Sequence, residues 1–357
     1  MITINNKKIG EGHPVYIIAE VGSNFDGSLG RVKMLAKLAK ECGADAYKIQ
    51  NFLSSKLVSP KGFDGFKVSH QAAWEKPVAQ VYKEAEFPRE WLREVADYCK
   101  SINIDFISSP YDFEAVDELE KVGVPAYKIG SGEIDNLEFL RYVAQKQKPI
   151  IVATGAASLE EVKQAVSTIR ATGNQQIILL QCVTNYPSML VDANLKTMQT
   201  LQKEFGVEVG LSDHTVGKEG GGDDPLDGIT APIAMVAMGG VIIEKHFTDD
   251  SKRKGNDHSF AMNVDTFKKM VDGMRMMEKA LGDGQKRVLD SEKETIIIQR
   301  RGIYAKQEIK EGEEVTYDKI EFLRPALYLR PPKVDTILGK KAKYTIEAGS
   351  PIKPDMV

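Results

Sequence analysis

A closed barrel of eight parallel strands alternating with helices, followed by a small β-rich module, is the architecture this chain predicts. Three features carry that expectation. Short apolar, β-branched runs occur at 15–20, 46–52, 105–108, 126–129, 149–153, 176–181, 208–211 and 241–246. Polar residues and then a helix-patterned segment follow each run. Strands separated by helices need crossover connections and so lie parallel, and eight such units in roughly 250 residues complete a (β/α)8, or TIM, barrel. The third feature is a change of pattern behind the eighth helix, where 305–320, AKQEIKEGEEVTYDKI, aligns without gaps to 342–357, AKYTIEAGSPIKPDMV.

The helices carry their own signals. Leu29, Val32, Leu35, Ala36 and Ala39 form one stripe ahead of Gly43, a residue suited to ending a helix, and Ser158 opens another helix with acids in its first turn. Between Phe52 and Pro88 lie serines, prolines, glycines and aromatics without a period. That interval reads as a long excursion over the barrel mouth, a common way to build a pocket wall or lid. The expected boundaries are a barrel at 1–282, a charged, partly helical linker at 283–299 and the terminal module at 300–357. In the module Ala, Lys, Ile, Gly and Asp recur at matching positions of the two halves, which marks an internal repeat. Each half offers a strand, a glycine turn and a short helical element ending in an apolar anchor, and so small a unit is expected to lean on another surface.

Composition excludes several classes. With 48 Lys and Arg against 51 Asp and Glu the formal charge is −3, so bulk electrostatics recruit neither nucleic acid nor an anionic membrane, and an anion must be met by a local site. No apolar run approaches the ~20 residues that span a bilayer. The opening segment lacks the apolar core of a secretory signal, and a cytoplasmic protein is expected. Cys42, Cys99 and Cys182 are scattered singly, which fits reduced, buried thiols.

In a barrel of this type the chemistry sits at the C-terminal strand ends. Those ends carry Glu20, Lys48 with Gln50, Ser109, Lys128 with Ser131 and Glu133, Thr154, Thr184, Ser212, His214 and His246. Lys48 and Lys128 point into one mouth if each follows its strand's alternation, and Ser109, Ser131 with Gly132, Thr154 with Gly155, and Ser212 add small donors. The set suits a small polyanion, although either lysine alone would read equally as a solvated strand-end charge. His214 and His246 end the seventh and eighth strands, which are neighbours in a closed barrel. Two such imidazoles can share a divalent cation, with Glu20 as a direct or water-mediated ligand, whereas a lone histidine is more often structural. His13, His70 and His258 are read as structural, His258 at the edge of the pocket.

The motifs E-V-G-S-N, D-A-Y-K-I-Q, S-S-P-Y-D, Y-K-I-G-S-G-E, A-T-G, Q-C-V-T-N-Y-P, G-L-S-D-H-T and E-K-H-F-T occur in this order ahead of the two-half tail. This ordered set resembles the sialic acid synthase family, and the tail resembles the antifreeze-like, or SAF, domain of those enzymes. The resemblance implies condensation of phosphoenolpyruvate with an N-acyl hexosamine, giving a nine-carbon 2-keto-3-deoxy sugar acid and phosphate. It also implies a divalent metal held by His214 and His246, typically manganese with magnesium or cobalt as alternatives, and a domain-swapped homodimer. By the same resemblance Lys48, Ser109, Lys128, Ser131, Thr184 and Ser212 hold phosphoenolpyruvate. Gln50, Tyr111, Glu133, Tyr186 and Asp257 meet the acceptor, and Arg324 reaches its N-acyl group from the partner subunit. Lys48 and Lys128 would act in catalysis together with Glu20 or Glu133, which would assist the attacking water.

The chain departs from that family pattern at Phe25, at Ala326 and in an insertion at 218–225. The acceptor therefore stays open between N-acetylmannosamine, its 6-phosphate and diacetamido-trideoxyhexoses. Two other classes compete. A Schiff-base aldolase would need one desolvated lysine and no metal, which the paired histidines disfavour. A non-catalytic carbohydrate-binding protein would have no use for the polyanion pocket.

Overall fold

The computed structural model describes residues 1–63 and 76–357; His70, Trp74 and the middle of the expected excursion lie outside these. The described residues form two compact units, Met1–Gly282 and Asp283–Val357. The first opens with a hairpin of β1 (Ile2–Ile4) and β2 (Lys7–Ile9). Eight parallel strands follow: β3 (Tyr16–Glu20), β4 (Ala46–Asn51), β5 (Asp105–Pro110), β6 (Tyr127–Ile129), β7 (Ile150–Ala153), β8 (Ile177–Cys182), β9 (Glu208–Asp213) and β10 (Ile242–His246). They close in sequence order, β10 pairing with β3 so that His246 lies opposite Glu20 and Glu20 opposite Lys48.

Strand alternation sorts the side chains into two cores. Tyr16, Ile18, Ala46, Ile107, Ala126, Ile151, Ile178 and Ile242 point inward and pack against Ile2, Ile4 and Ile9 of the hairpin. Their neighbours on the outer face, such as Ile17, Tyr47, Tyr127 and Ile129, meet the helices. Burial on both faces explains why these strands read as unbroken apolar runs. Polar ties fix the hairpin at the N-terminal end of the barrel: Asn5 Nδ2 and Tyr16 Oη donate to the Asp105 carboxylate, which Lys7 also pairs. That end is a floor, and every strand's second half faces the opposite mouth.

Helix ends follow local chemistry. Ser28 caps Leu29–Glu41, Asp112 caps Phe113–Val122, and Ser158 with Glu161 forms a reciprocal capping box on Leu159–Arg170. The described parts of the excursion contribute the helices Ser54–Leu57 and Val78–Glu84. In the insertion, the Asp224 carboxylate accepts from the Leu226 and Thr230 amides and so ties the loop to the start of Thr230–Ala237.

The second unit holds its own small core, with β11 (Gly302–Ala305) antiparallel to β12 (Ile320–Leu323). Its repeat is a physical two-fold. Gly312 N donates to Ala342 O and Gly349 N to Ala305 O, both at 2.7 Å, while Ile309 and Ile346 exchange amide bonds. Gly312 and Gly349 both have φ near +78° in the left-handed region, where glycine carries no steric penalty. The matched residues Ala305 and Ala342, Ile309 and Ile346, Val315 and Ile352, and Ile320 and Val357 are all buried.

Candidate active site

The inward positions of the barrel turn from apolar to charged toward the mouth. Above Ile18, Ala46, Ala126 and Ile242 stand Glu20, Lys48, Lys128 and Glu244, each two residues further along its strand. All four are buried and alternate in sign: Lys48 pairs with Glu20, whose other oxygen accepts from Gln50 Nε2 at 2.9 Å, and Glu244 Oε1 lies 3.7 Å from Lys48 and 3.1 Å from Lys128. Burial alone would raise the Glu244 carboxyl, but Lys128 and then Lys48 hold it at about 2. Sequence reasoning missed Glu244, although counting back two from His246 places it on the same inward face.

These side chains border a cavity of about 100 Å³, lined also by Ser109, Ser131, Cys182, Thr184, Ser212, His214 and His246. The hydroxyl of Ser109 is buried with no hydrogen-bond partner, as a donor set aside for a ligand would be. Ser131 Oγ accepts from Gly155 N at 3.0 Å, and a Cβ on Gly155 would lie 2.0 Å from Thr184 Oγ1, so only glycine fits there. Two expected donors are spent elsewhere: the Thr154 hydroxyl donates to Leu180 O at 3.0 Å, and the Gly155 amide serves Ser131. Cys182, unremarkable in sequence, lies within 4.0 Å of His214 Nδ1, and although burial opposes it this neighbour draws its thiol down to about 7.

His214 and His246 stand side by side, ring centroids 5.5 Å apart, with Tyr186 4.3 Å from His214 and 6.0 Å from His246. Val183 O can only accept, so the 2.8 Å bond fixes the proton on His214 Nδ1 and leaves Nε2 as a lone-pair donor. His246 Nδ1 is buried without a partner, and burial pushes its ring down to about 3, which keeps it neutral. Two neutral imidazoles with unspent nitrogens fit a divalent cation. Among the described residues no set of three or more His, Cys, Asp or Glu is arranged to hold a metal. Glu20, expected beside the cation, is taken up by Lys48 and Gln50.

A second cavity of about 300 Å³ lies against the first, sharing Gln50, Tyr111, Gly132, Tyr186 and His246 with it. Glu133 and Asp257 line this larger space. Burial raises the Glu133 carboxyl, so it is poised to handle a proton. Asp257 Oδ2 accepts from both the amide and the hydroxyl of Ser23 at 2.8 Å. His258 does not edge the pocket; it is fully buried, bridging Asp26 Oδ1 and Thr248 Oγ1. Phe25 is buried as well, packing edge-on against Phe87 and Trp91, which makes that departure a matter of core packing. The insertion at 218–225 lines a separate cavity with Val216, Ser259 and Thr266. Arg324 and Ala326 lie in the second unit, Ala326 N donating to Ile297 O.

Comparison with known proteins agrees with this geometry. Residues 35–286 match the NeuB family and residues 300–357 the SAF domain. The chain is 36% identical to a pseudaminic acid synthase of Campylobacter jejuni over 340 residues, covering 95% of each chain. It is 34% identical to an N,N'-diacetyllegionaminic acid synthase of Legionella pneumophila over 97% of each. The crystal structure of an N-acetylneuraminic acid synthetase from Leptospira borgpetersenii superposes with a TM-score of 0.71 at 32% identity, over 83% of this chain and 94% of that one. With the barrel, its ordered mouth residues and the two-fold tail all accounted for, the chain belongs to the NeuB family and carries a C-terminal SAF domain.

Proposed function

We propose that the protein condenses phosphoenolpyruvate with an N-acyl hexosamine, forming a nine-carbon 2-keto-3-deoxy sugar acid and inorganic phosphate. The single observation that carries this is the pair of adjoining cavities, one lined by two buried lysines and small hydroxyls, the other by carboxylates and aromatic rings. A carboxylate and a phosphate on one small molecule explain two lysines where one would serve a monoanion. Lys48 and Lys128 bind these groups with Ser109, Ser131, Thr184 and Ser212. Gln50, Tyr111, Tyr186 and Asp257 orient the open-chain acceptor so that its aldehyde carbon lies beside C3 of phosphoenolpyruvate.

Bond formation between those carbons leaves C2 electron-poor; water adds there, and the tetrahedral intermediate expels phosphate by cleavage of the C2–O bond. Glu133, raised by burial, takes the proton from that water. A divalent ion, manganese in this reading, would be held by His214 and His246 and supplies a Lewis acid for the acceptor's carbonyl oxygen. The enzyme works in the cytoplasm, where phosphoenolpyruvate is made, as a homodimer whose tails are exchanged so that Arg324 meets the partner's acceptor. No helix among the described residues is long and apolar enough to cross a membrane. Phosphoenolpyruvate labelled with ¹⁸O at the bridging position tests the chemistry: the label should appear in inorganic phosphate. Label retained in the sugar acid would refute C–O cleavage.

A further inference from the structure

The larger cavity is chemically lopsided. Barrel loops bring Ser23, Gln50, Glu133, Asn256 and Asp257 to it, whereas the excursion after β4 contributes Phe52, Leu57, Val58, Val81 and Ala85. Among the described residues no lysine or arginine lines it. The cations of the excursion are engaged elsewhere, Lys56 with Glu114, Lys83 with Glu86 and Arg89 with Asp112. A phosphate monoester entering this space would be stripped of water facing two carboxylates and no cation, and buried ionised groups without partners are strongly disfavoured. Hydroxyls turned toward the apolar wall would also lose water without gaining a partner. Methyl groups there gain from burial.

We propose that the acceptor is an uncharged, deoxygenated hexose with more than one acylamino group, its methyl groups seated on the wall of Phe52, Val58 and Val81, and that hexosamine phosphates are excluded. This rests on the condensation reading above and narrows its substrate class. The wall selects by transfer free energy, while Glu133 and Asp257 reject the phosphate by charge.

The test is an acceptor panel given to the full-length protein with manganese and phosphoenolpyruvate: a 2,4-diacetamido-2,4,6-trideoxyhexose, N-acetylmannosamine and N-acetylmannosamine 6-phosphate. Phosphate release should show kcat/KM for the diacetamido sugar roughly 100-fold or more above the 6-phosphate, the scale expected when polar groups are left unpaired in a pocket. Equal or better use of the 6-phosphate, or preference for the fully hydroxylated sugar, overturns the proposal. Release of phosphate with none of the three defeats the condensation reading, and the rise in unfolding temperature with each sugar then decides the acceptor class alone. Stabilisation by the diacetamido sugar beyond the other two supports it; any other ranking overturns it. Val81→Thr, close in shape, should lower kcat/KM for the diacetamido sugar about 3- to 10-fold with no change in KM for phosphoenolpyruvate, and no loss would remove the wall from the argument.

Discussion

Replacing Lys128 with methionine removes one of the two cations flanking Glu244 while keeping the length of the side chain. The ammonium lies 3.1 Å from Glu244 Oε1 and that of Lys48 3.7 Å away, with all three groups buried. Loss of a desolvated, charged partner for bound phosphoenolpyruvate costs about 2–5 kcal/mol. At about 1.4 kcal/mol per decade this is roughly 30- to 4,000-fold in kcat/KM for phosphoenolpyruvate, with the acceptor KM moving far less. The same change should weaken the fold. Glu244 sits at about 2 when folded against 4.5 as its ordinary value, so its contribution to stability is present above pH 4.5 and lost as the pH falls toward 2. Without Lys128 the folded value rises toward the ordinary one and that contribution shrinks at neutral pH. Steady-state kinetics and urea denaturation of Lys128→Met and of Lys128→Met with Glu244→Gln separate the two effects. The double variant should regain stability, because no uncompensated carboxylate remains, and should not regain use of phosphoenolpyruvate. An unchanged rate and KM for phosphoenolpyruvate in folded Lys128→Met would refute the reasoning.

Chelation should abolish turnover and manganese or another divalent ion restore it, whereas full activity of metal-free His214→Ala would discard the metal. Mixing inactive Lys128→Met with inactive Arg324→Ala and allowing subunits to exchange should restore activity, because one mouth of the mixed dimer then receives an intact lysine and an intact arginine. Demonstrated mixed dimers without activity would place Arg324 outside the partner's site. Burial opposes ionisation of Asp249, but bonds from Arg31 and Arg253 hold its carboxyl well below the usual carboxylate range. Asp249→Asn should therefore cost roughly 1.5–3 kcal/mol at pH 7 in urea denaturation, and the gap to the parent should narrow below pH 4, where the parent's own advantage is lost.

Most of the barrel was legible because strands buried on both faces cannot hide their apolar runs, and each observed strand falls within a residue or two of the run that announced it. The hairpin of Ile2–Ile4 and Lys7–Ile9 was not, since three-residue strands around a polar turn carry no period. The mouth was legible as residue types at strand ends. Its electrostatics were not, because pairing Glu244 with Lys128 or Lys245 with Asp213 depends on the register of neighbouring strands. The apolar wall of the larger cavity comes from an aperiodic stretch, whose residues acquire a common face only when the chain folds. Phe25 misled in the other direction: a departure from a family motif need not touch the chemistry when the side chain turns into the core.

The two cavities are nested, and the hairpin closes the far end of the barrel, so traffic has a single gate. Phosphoenolpyruvate bound among Lys48, Lys128 and Ser212 lies below the space shared through Gln50, Tyr111 and His246. An acceptor seated first corks the passage. Loading is therefore compulsory in sequence, anion before sugar, and departure runs in reverse, with phosphate waiting beneath the sugar acid until it leaves. At high acceptor concentration the corked form accumulates as a dead end, and the rate declines where simple saturation would hold it level.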